Sequence, residues 1–134
     1  MCSINGSASG SGLGPDWRHR TELLIGQQGL DSLARARVIV VGLGGVGSYC
    51  AEALARAGVG SLVLVDGDSV SVTNINRQII ALVDAVGLPK AEVMADRVKR
   101  INPACTVVPM VMWVNRDNVD RLLALGPNSV HYVA

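Results

Sequence analysis

Arg37-Val38-Ile39-Val40-Val41 runs straight into Gly42-Leu43-Gly44-Gly45-Val46-Gly47, and this junction narrows the possible folds more than any other stretch. A short run of strand formers without alternation predicts a strand buried on both faces, as in a parallel sheet. The glycines predict a tight turn that opens a helix. Gly42 permits the turn, Gly44 lets a pyrophosphate approach the backbone, and Gly47 lets the helix pack closely on its strand. The first-turn N–H groups of that helix have no intrahelical acceptors and point where an anion would sit. Ser61 to Asp66 reads as a second apolar strand, and Asp66 at its end offers a carboxylate to ribose hydroxyls. A glycine turn without a ligand is the alternative, but three spaced glycines and the distant Asp exceed what a turn requires.

The 134 residues suffice for one domain. Apolar residues make up 49% and charged ones 17%, while aromatics are only 3% with no Phe, so the core must be Val, Leu, Ile and Ala. Such cores suit strands covered by helices on both faces. A net charge of +1 argues against a general polyanion-binding surface. Cys2, Cys50 and Cys105 form no C-x-x-C pair, and His19 and His131 have no spaced partner, so no metal site is indicated. Cys50 reads as a small core residue rather than a nucleophile. Met1 to Gly14 is mostly Ser, Gly and Ala without the pattern of a signal peptide, and residues 1–16 read as a disordered leader. No apolar run approaches membrane-spanning length, and a cytoplasmic protein is expected.

Thr21 to Leu33 suggests a short amphipathic arm of one or two helical pieces, interrupted by Gly26 and Gly29. The glycine-turn helix continues to Gly58, a plausible C-cap. Gly67 to Gln78 is polar and reads as a long loop. Leu88-Pro89 starts a helix with Val93, Met94, Val98 and Ile101 on its apolar face, stopped by Asn102-Pro103. Thr106 to Val114 reads as a third strand, Arg116 to Leu125 as a third crossover helix, and Ser129 to Ala134 as the start of a fourth strand. Right-handed crossovers then give the order 3-2-1-4, with the ligand crevice at the carboxyl ends of the first and fourth strands. A sheet whose last strand is central predicts the amino-terminal half of a larger protein, truncated after the fourth strand.

Three further groups converge on this crevice. Asp66-Gly67-Asp68 places two carboxylates at a strand end, Asp66 for ribose and Asp68 either for capping the loop or for helping to hold a metal. Thr73-Asn74-Ile75-Asn76-Arg77-Gln78 offers two amides and a guanidinium suited to phosphate, or else a solvated loop that caps the next helix. Lys90 falls in the first turn of a helix whose first position suits Pro89. A cation there opposes the helix dipole unless an anion, or Glu92, offsets it.

Gly42-Leu43-Gly44-Gly45-Val46-Gly47, Asp66-Gly67-Asp68, Asn74-Ile75-Asn76-Arg77-Gln78 and Gly87-Leu88-Pro89-Lys90, in this order, closely resemble the ATP-binding half of the ThiF-type, ubiquitin-activating-enzyme-like adenylating enzymes. Arg20 to Gly26, Val72 to Gln78 and Lys90 to Met94 look most like the bacterial tRNA threonylcarbamoyladenosine dehydratases. The resemblance runs from about Arg20 to the last residue, within a domain expected over residues 17–134, and implies an α/β, Rossmann-like parallel sheet with crossover helices. It implies ATP over Gly42, Gly44, Gly45 and Gly47, ribose on Asp66, and phosphates met by Asn74, Arg77 and Lys90, with Asp68 and Asn76 also among the nucleotide-binding residues. Arg20, Arg77 and Lys90 are the implied catalytic cations, with Arg20 reaching the γ-phosphate of the neighbouring subunit in a homodimer. Mg2+ is implied too, its main ligand an Asp just beyond the fourth strand, and tRNA is the implied substrate. Trp17 stands where relatives often carry another Arg.

Three other functions compete with the dehydratase reading. A relative would activate the C-terminal glycine of a ubiquitin-like sulfur carrier. An NAD-binding dehydrogenase would leave Asn74, Arg77 and Lys90 without work. A non-catalytic fragment would bind nucleotide or a partner subunit only.

Overall fold

The computed structural model describes residues 16–124 and 132–133, so the expected leader lies outside the described residues except at its last position. Four parallel strands form one sheet: β1 (Arg37–Val41), β2 (Ser61–Val65), β3 (Thr106–Met110) and β4 (Tyr132–Val133). Their order is β3-β2-β1-β4, with Val38 opposite both Leu62 and Tyr132. This is the doubly wound arrangement expected from the sequence, reversing direction at β1.

The apolar runs of β1 and β2 feed two cores. Val38, Val40, Leu62 and Leu64 face Ala51 and Ala55 of α2 (Gly47–Ala57) and Met94 and Val98 of α3 (Lys90–Ile101). Ile39, Val63 and Val65 face the other way, onto Leu122 of α4 (Val119–Leu123) with Met110, Met112 and Val114 beside it. Two helices on one face and one on the other is what right-handed crossovers demand of this strand order. Each fully buried Leu, Val or Ile contributes roughly 1.5–3 kcal/mol of transfer free energy. Cys105 lies in the first core, where burial pushes its thiol pKa up, consistent with a packing residue. Among the described residues no helix is long and apolar enough to cross a membrane.

The amino-terminal arm is α1 (His19–Arg35), broken at Gly26, where φ is 68° and ψ is 176°. Its two pieces fold back on one another, because both ends reach the same turn after α2. Arg18 Cδ lies 3.1 Å from where a Cβ on Gly58 would stand, and the Ala34 carbonyl fills that place on Gly60. Gly58, at φ 93°, is the C-cap of α2 as expected.

Several boundaries differ from the sequence reading. β3 ends at Met110 rather than Val114; it contains Pro109, which is tolerated because β3 is an edge strand. α4 starts at Val119 rather than Arg116. Asn115 Oδ1 accepts from the N–H groups of Asp117 and Asn118, and Asn118 Oδ1 accepts from Asn115 N–H, so these side chains build a turn ahead of the helix. The expected end of α4 at residue 125, and residues 129–131 and 134 of the expected fourth strand, lie outside the described residues. Pro89 is the N-cap of α3, not its first residue, and its carbonyl accepts from Glu92 and Val93. The loop from Gly67 to Gln78 contains a short 3-10 turn, Val72–Asn74, capped by the Ser71 side chain.

Candidate functional site

The glycine turn is held from beneath by the end of β2. Gly42, at φ 85°, donates its N–H to the Val65 carbonyl at 2.8 Å. Leu43 is fully buried and donates its N–H to Asp66 Oδ2 at 2.6 Å. Asp66 Oδ1 accepts from Asp68 N–H at 2.7 Å. The buried Asp66 carboxylate thus clamps the turn to the start of the polar loop, using one acceptor direction on each oxygen. A carboxylate has about four such directions, so capacity for hydroxyl donors remains.

Ser48 begins the helix proper: its Oγ and its N–H both donate to the Gly44 carbonyl. The N–H groups of Gly44, Gly45, Val46, Gly47 and Tyr49 have no acceptor among the described residues. Amides without acceptors at the start of a helix are the kind of group that favours an anion. The glycines divide by cause. A Cβ on Gly47 would overlap the Gly42 carbonyl, whereas it would meet the strand (Val40 Cγ1) only at 3.8 Å. Gly47 is therefore required by the turn itself rather than by helix–strand packing. Gly44 and Gly45 have no positive φ, and a Cβ on either would meet only ordinary neighbours at 3.7 Å or more. Neither backbone conformation nor packing demands glycine there. A Cβ at those places would roof the free amides.

Arg77 and Gln78 flank the turn. Arg77 Cγ and Cδ lie 3.8 and 4.0 Å from where a Cβ on Gly45 would be. Its guanidinium is exposed and donates to the Thr73 carbonyl at 2.9 Å and to Asn76 Oδ1 at 3.0 Å. Gln78 is buried, its Nε2 is the atom nearest the missing Cβ of Gly44, and its Oε1 has no hydrogen-bond partner among the described residues. Asn74 is buried and scaffolds the loop: its Oδ1 accepts from Ser71 N–H and its carbonyl from the N–H groups of Arg77 and Gln78. Asn76 is exposed and serves as an acceptor for Arg77.

Lys90 is 5% exposed, and its Nζ lies 3.3 Å from Asp68 Oδ2. Its N–H donates to the Asp68 carbonyl at 2.9 Å. Asp68 therefore offsets the cation at the start of α3, in place of the Glu92 that the sequence put forward. The unfavourable helix-dipole term, about 0.3–1 kcal/mol, is met by a carboxylate bound to the same turn. Lys90, Asp68, Asp66 and the Leu43 amide form one continuous chain of contacts. Asp68 is the partner of Lys90, and among the described residues no three His, Cys, Asp or Glu side chains cluster.

Arg20 is not brought to this site within the chain. It is exposed near the start of α1, where Arg18 packs on Gly58 at the amino ends of the strands. The glycine turn is at their carboxyl ends. Two residues missing from the sequence-derived site do lie there: Gln78, within a motif read for its other members, and Trp113, whose indole lies against Gly67. Reading β3 through to Val114 hid Trp113, although an exposed Trp in so aromatic-poor a chain was itself a signal.

A model described as the ThiF family matches residues 18–133. Over 113 residues the chain is 52% identical to tRNA threonylcarbamoyladenosine dehydratase of Escherichia coli strain K12, covering 82% of this chain and 42% of that protein. It is 44% identical over 97 residues to molybdopterin-synthase adenylyltransferase of Salmonella typhimurium, covering 72% of this chain and 39% of that one. The crystal structure of the E. coli tRNA N6-threonylcarbamoyladenosine dehydratase in complex with ATP matches with a TM-score of 0.78, over 82% of this chain and 46% of that one. The chain spans less than half the length of these relatives. With the family model covering nearly all of the chain, and the same fold in a relative of 52% identity, this protein belongs to the ThiF family.

Proposed function

We propose that this chain is the ATP-binding half of a carboxylate-adenylating enzyme. Its reaction in the whole protein is the ATP-dependent cyclisation of threonylcarbamoyladenosine at position 37 of tRNA. The observation that carries the reading is the set of amides without acceptors at Gly44, Gly45, Val46, Gly47 and Tyr49, with Arg77 on one side and Asp66, Asp68 and Lys90 on the other. The 52% identity to a dehydratase supports the choice of substrate.

In adenylation a substrate carboxylate attacks the α-phosphorus of ATP. A bond forms between the carboxylate oxygen and phosphorus, the α–β bridging bond breaks, and its electron pair leaves on pyrophosphate. An anion attacks an anion, so the protein must neutralise the triphosphate and hold the reactants in line. The free amides give the phosphates fixed dipoles, and Asp66 accepts from the ribose. Arg77 has an exposed guanidinium held only by a carbonyl and an amide, both neutral acceptors that a phosphate outcompetes. Lys90 donates directly to Asp68 Oδ2 at 3.3 Å, and its ammonium has further N–H donors for a phosphate oxygen. Among the described residues no three metal-ligating side chains cluster at the site. In a homodimer, Arg20 of a neighbouring copy is the cation for the γ-phosphate. The acyl adenylate is then closed by the substrate's own side chain, releasing AMP.

Exchange of labelled pyrophosphate into ATP in the presence of threonylcarbamoyladenosine-bearing tRNA tests this reading. Wild-type exchange lost in Arg77→Ala supports it, whereas no exchange above blank favours a chain that only binds nucleotide. The 44% identity to molybdopterin-synthase adenylyltransferase supports a second reading, activation of a sulfur-carrier C-terminus. Exchange that requires a carrier protein with a C-terminal glycine, and ignores tRNA, would select it.

A further inference from the structure

Trp113 lies just past β3, yet it is 66% exposed in a chain whose described core contains no aromatic side chain. Its ring is held by Gly67, the residue after Asp66. A Cβ on Gly67 would stand 2.6 Å from Trp113 Cε2, 2.6 Å from Nε1 and 2.7 Å from Cδ2. These are consecutive atoms of the five-membered ring, and near-equal distances put that point over the face of the ring and not at its edge. One indole face is thus laid flat on the Gly67 backbone. Behind the ring, Asn118 Nδ2 donates to the Trp113 carbonyl at 2.8 Å and fixes the backbone that carries it. The platform stands at the carboxyl end of β3, next to Asp66 and on the far side of it from the glycine turn, since β2 separates β1 from β3. A nucleotide with its phosphates over Gly44–Gly47 and its ribose on Asp66 therefore projects its base toward this indole.

We infer that Trp113 is a stacking platform for the adenine ring of the bound nucleotide. The inference rests on the nucleotide reading above and deepens it. An indole gives the base a large apolar face without hydrogen-bond readout, so it supplies affinity for the base and little discrimination between adenine and guanine. Gly67 is then explained by the same feature, because any side chain there would lift the ring from its seat.

The test uses the full chain with Trp17→Phe, so that Trp113 is the only tryptophan, and titrates ATP, GTP and inorganic tripolyphosphate. Stacking predicts quenching of Trp113 fluorescence by ATP and GTP but not by tripolyphosphate. Trp113→Ala is expected to weaken ATP and GTP binding on the order of ten-fold while leaving tripolyphosphate binding unchanged, since base–aromatic stacking is worth about that much. Trp113→Phe should restore most of the loss, and Gly67→Ala should reproduce it with the indole still present. ATP binding of unchanged affinity in a folded Trp113→Ala, with no quenching in the parent, overturns the platform and leaves the nucleotide site standing. Failure of the parent chain to bind either ATP or tripolyphosphate overturns the nucleotide reading, and the platform with it.

Discussion

At the scale of single residues, the site separates groups required by the fold from groups that only a ligand explains. Gly47→Ala is expected to destabilise the protein by about 3 kcal/mol, because its Cβ meets the Gly42 carbonyl, a backbone group fixed by the turn. Gly45→Ala, with only ordinary neighbours, should stay within about 0.5 kcal/mol of wild type. Urea unfolding of the pair measures both, and equal losses would refute the division. The Asp68–Lys90 pair is similarly asymmetric. The Lys90 side chain is 7% exposed and that of Asp68 is 53%. Asp68→Ala strands a buried ammonium and should lower stability by about 1–3 kcal/mol, whereas Lys90→Met leaves only a solvated carboxylate and should lower it by less. Saturating ATP should recover part of the Asp68→Ala loss in a thermal melt, as phosphate replaces the missing carboxylate.

Elements are joined away from the site by a carboxylate. Glu52 of α2 is buried and accepts from Arg97 of α3 and from Arg56 of its own helix. The hydrogen bond from Arg97, against the opposing effect of burial, holds the Glu52 carboxyl below the usual range for Glu. A folded-state pKa below the unfolded one contributes stability that is present above the unfolded value, about 4.3, and is lost as pH falls through the folded one. Glu52→Gln is therefore expected to be about 2 kcal/mol less stable than wild type at pH 7. The gap should close as pH drops below about 4, and melts from pH 7 to 3 would read it. A gap independent of pH would show that the carboxylate does not join the two helices electrostatically.

For the molecule as a whole, the sheet is the frame on which the turn, the loop and α3 meet, so occupying the site should stabilise the entire fold. ATP at a hundred times its Kd adds about 2.7 kcal/mol, which for a domain of this size raises Tm by on the order of 10 °C. Arg77→Ala should shrink that rise at fixed ATP without changing the Tm of the free protein, because Arg77 is exposed and bonded only within its loop. Differential scanning calorimetry with and without ATP checks both halves of the expectation.

The strand formers of β1 and β2, the glycine turn and the capping Gly58 were legible because each is a local signal, and the right-handed crossover rule turned them into an order of four strands. The same local logic places Asp66 and Lys90, since they stand at the end of β2 and the start of α3. The pairing of Lys90 with Asp68, 22 residues apart, was not legible, nor was the indole of Trp113 on Gly67. Nor was the location of Arg20 near the amino ends of the strands. Those facts depend on which strand ends lie side by side and on one torsion at Gly26, which folds α1 back on itself. Sequence patterns specify elements through short-range sterics and solvation; contacts between elements are decided by how the assembled sheet and helices pack in three dimensions.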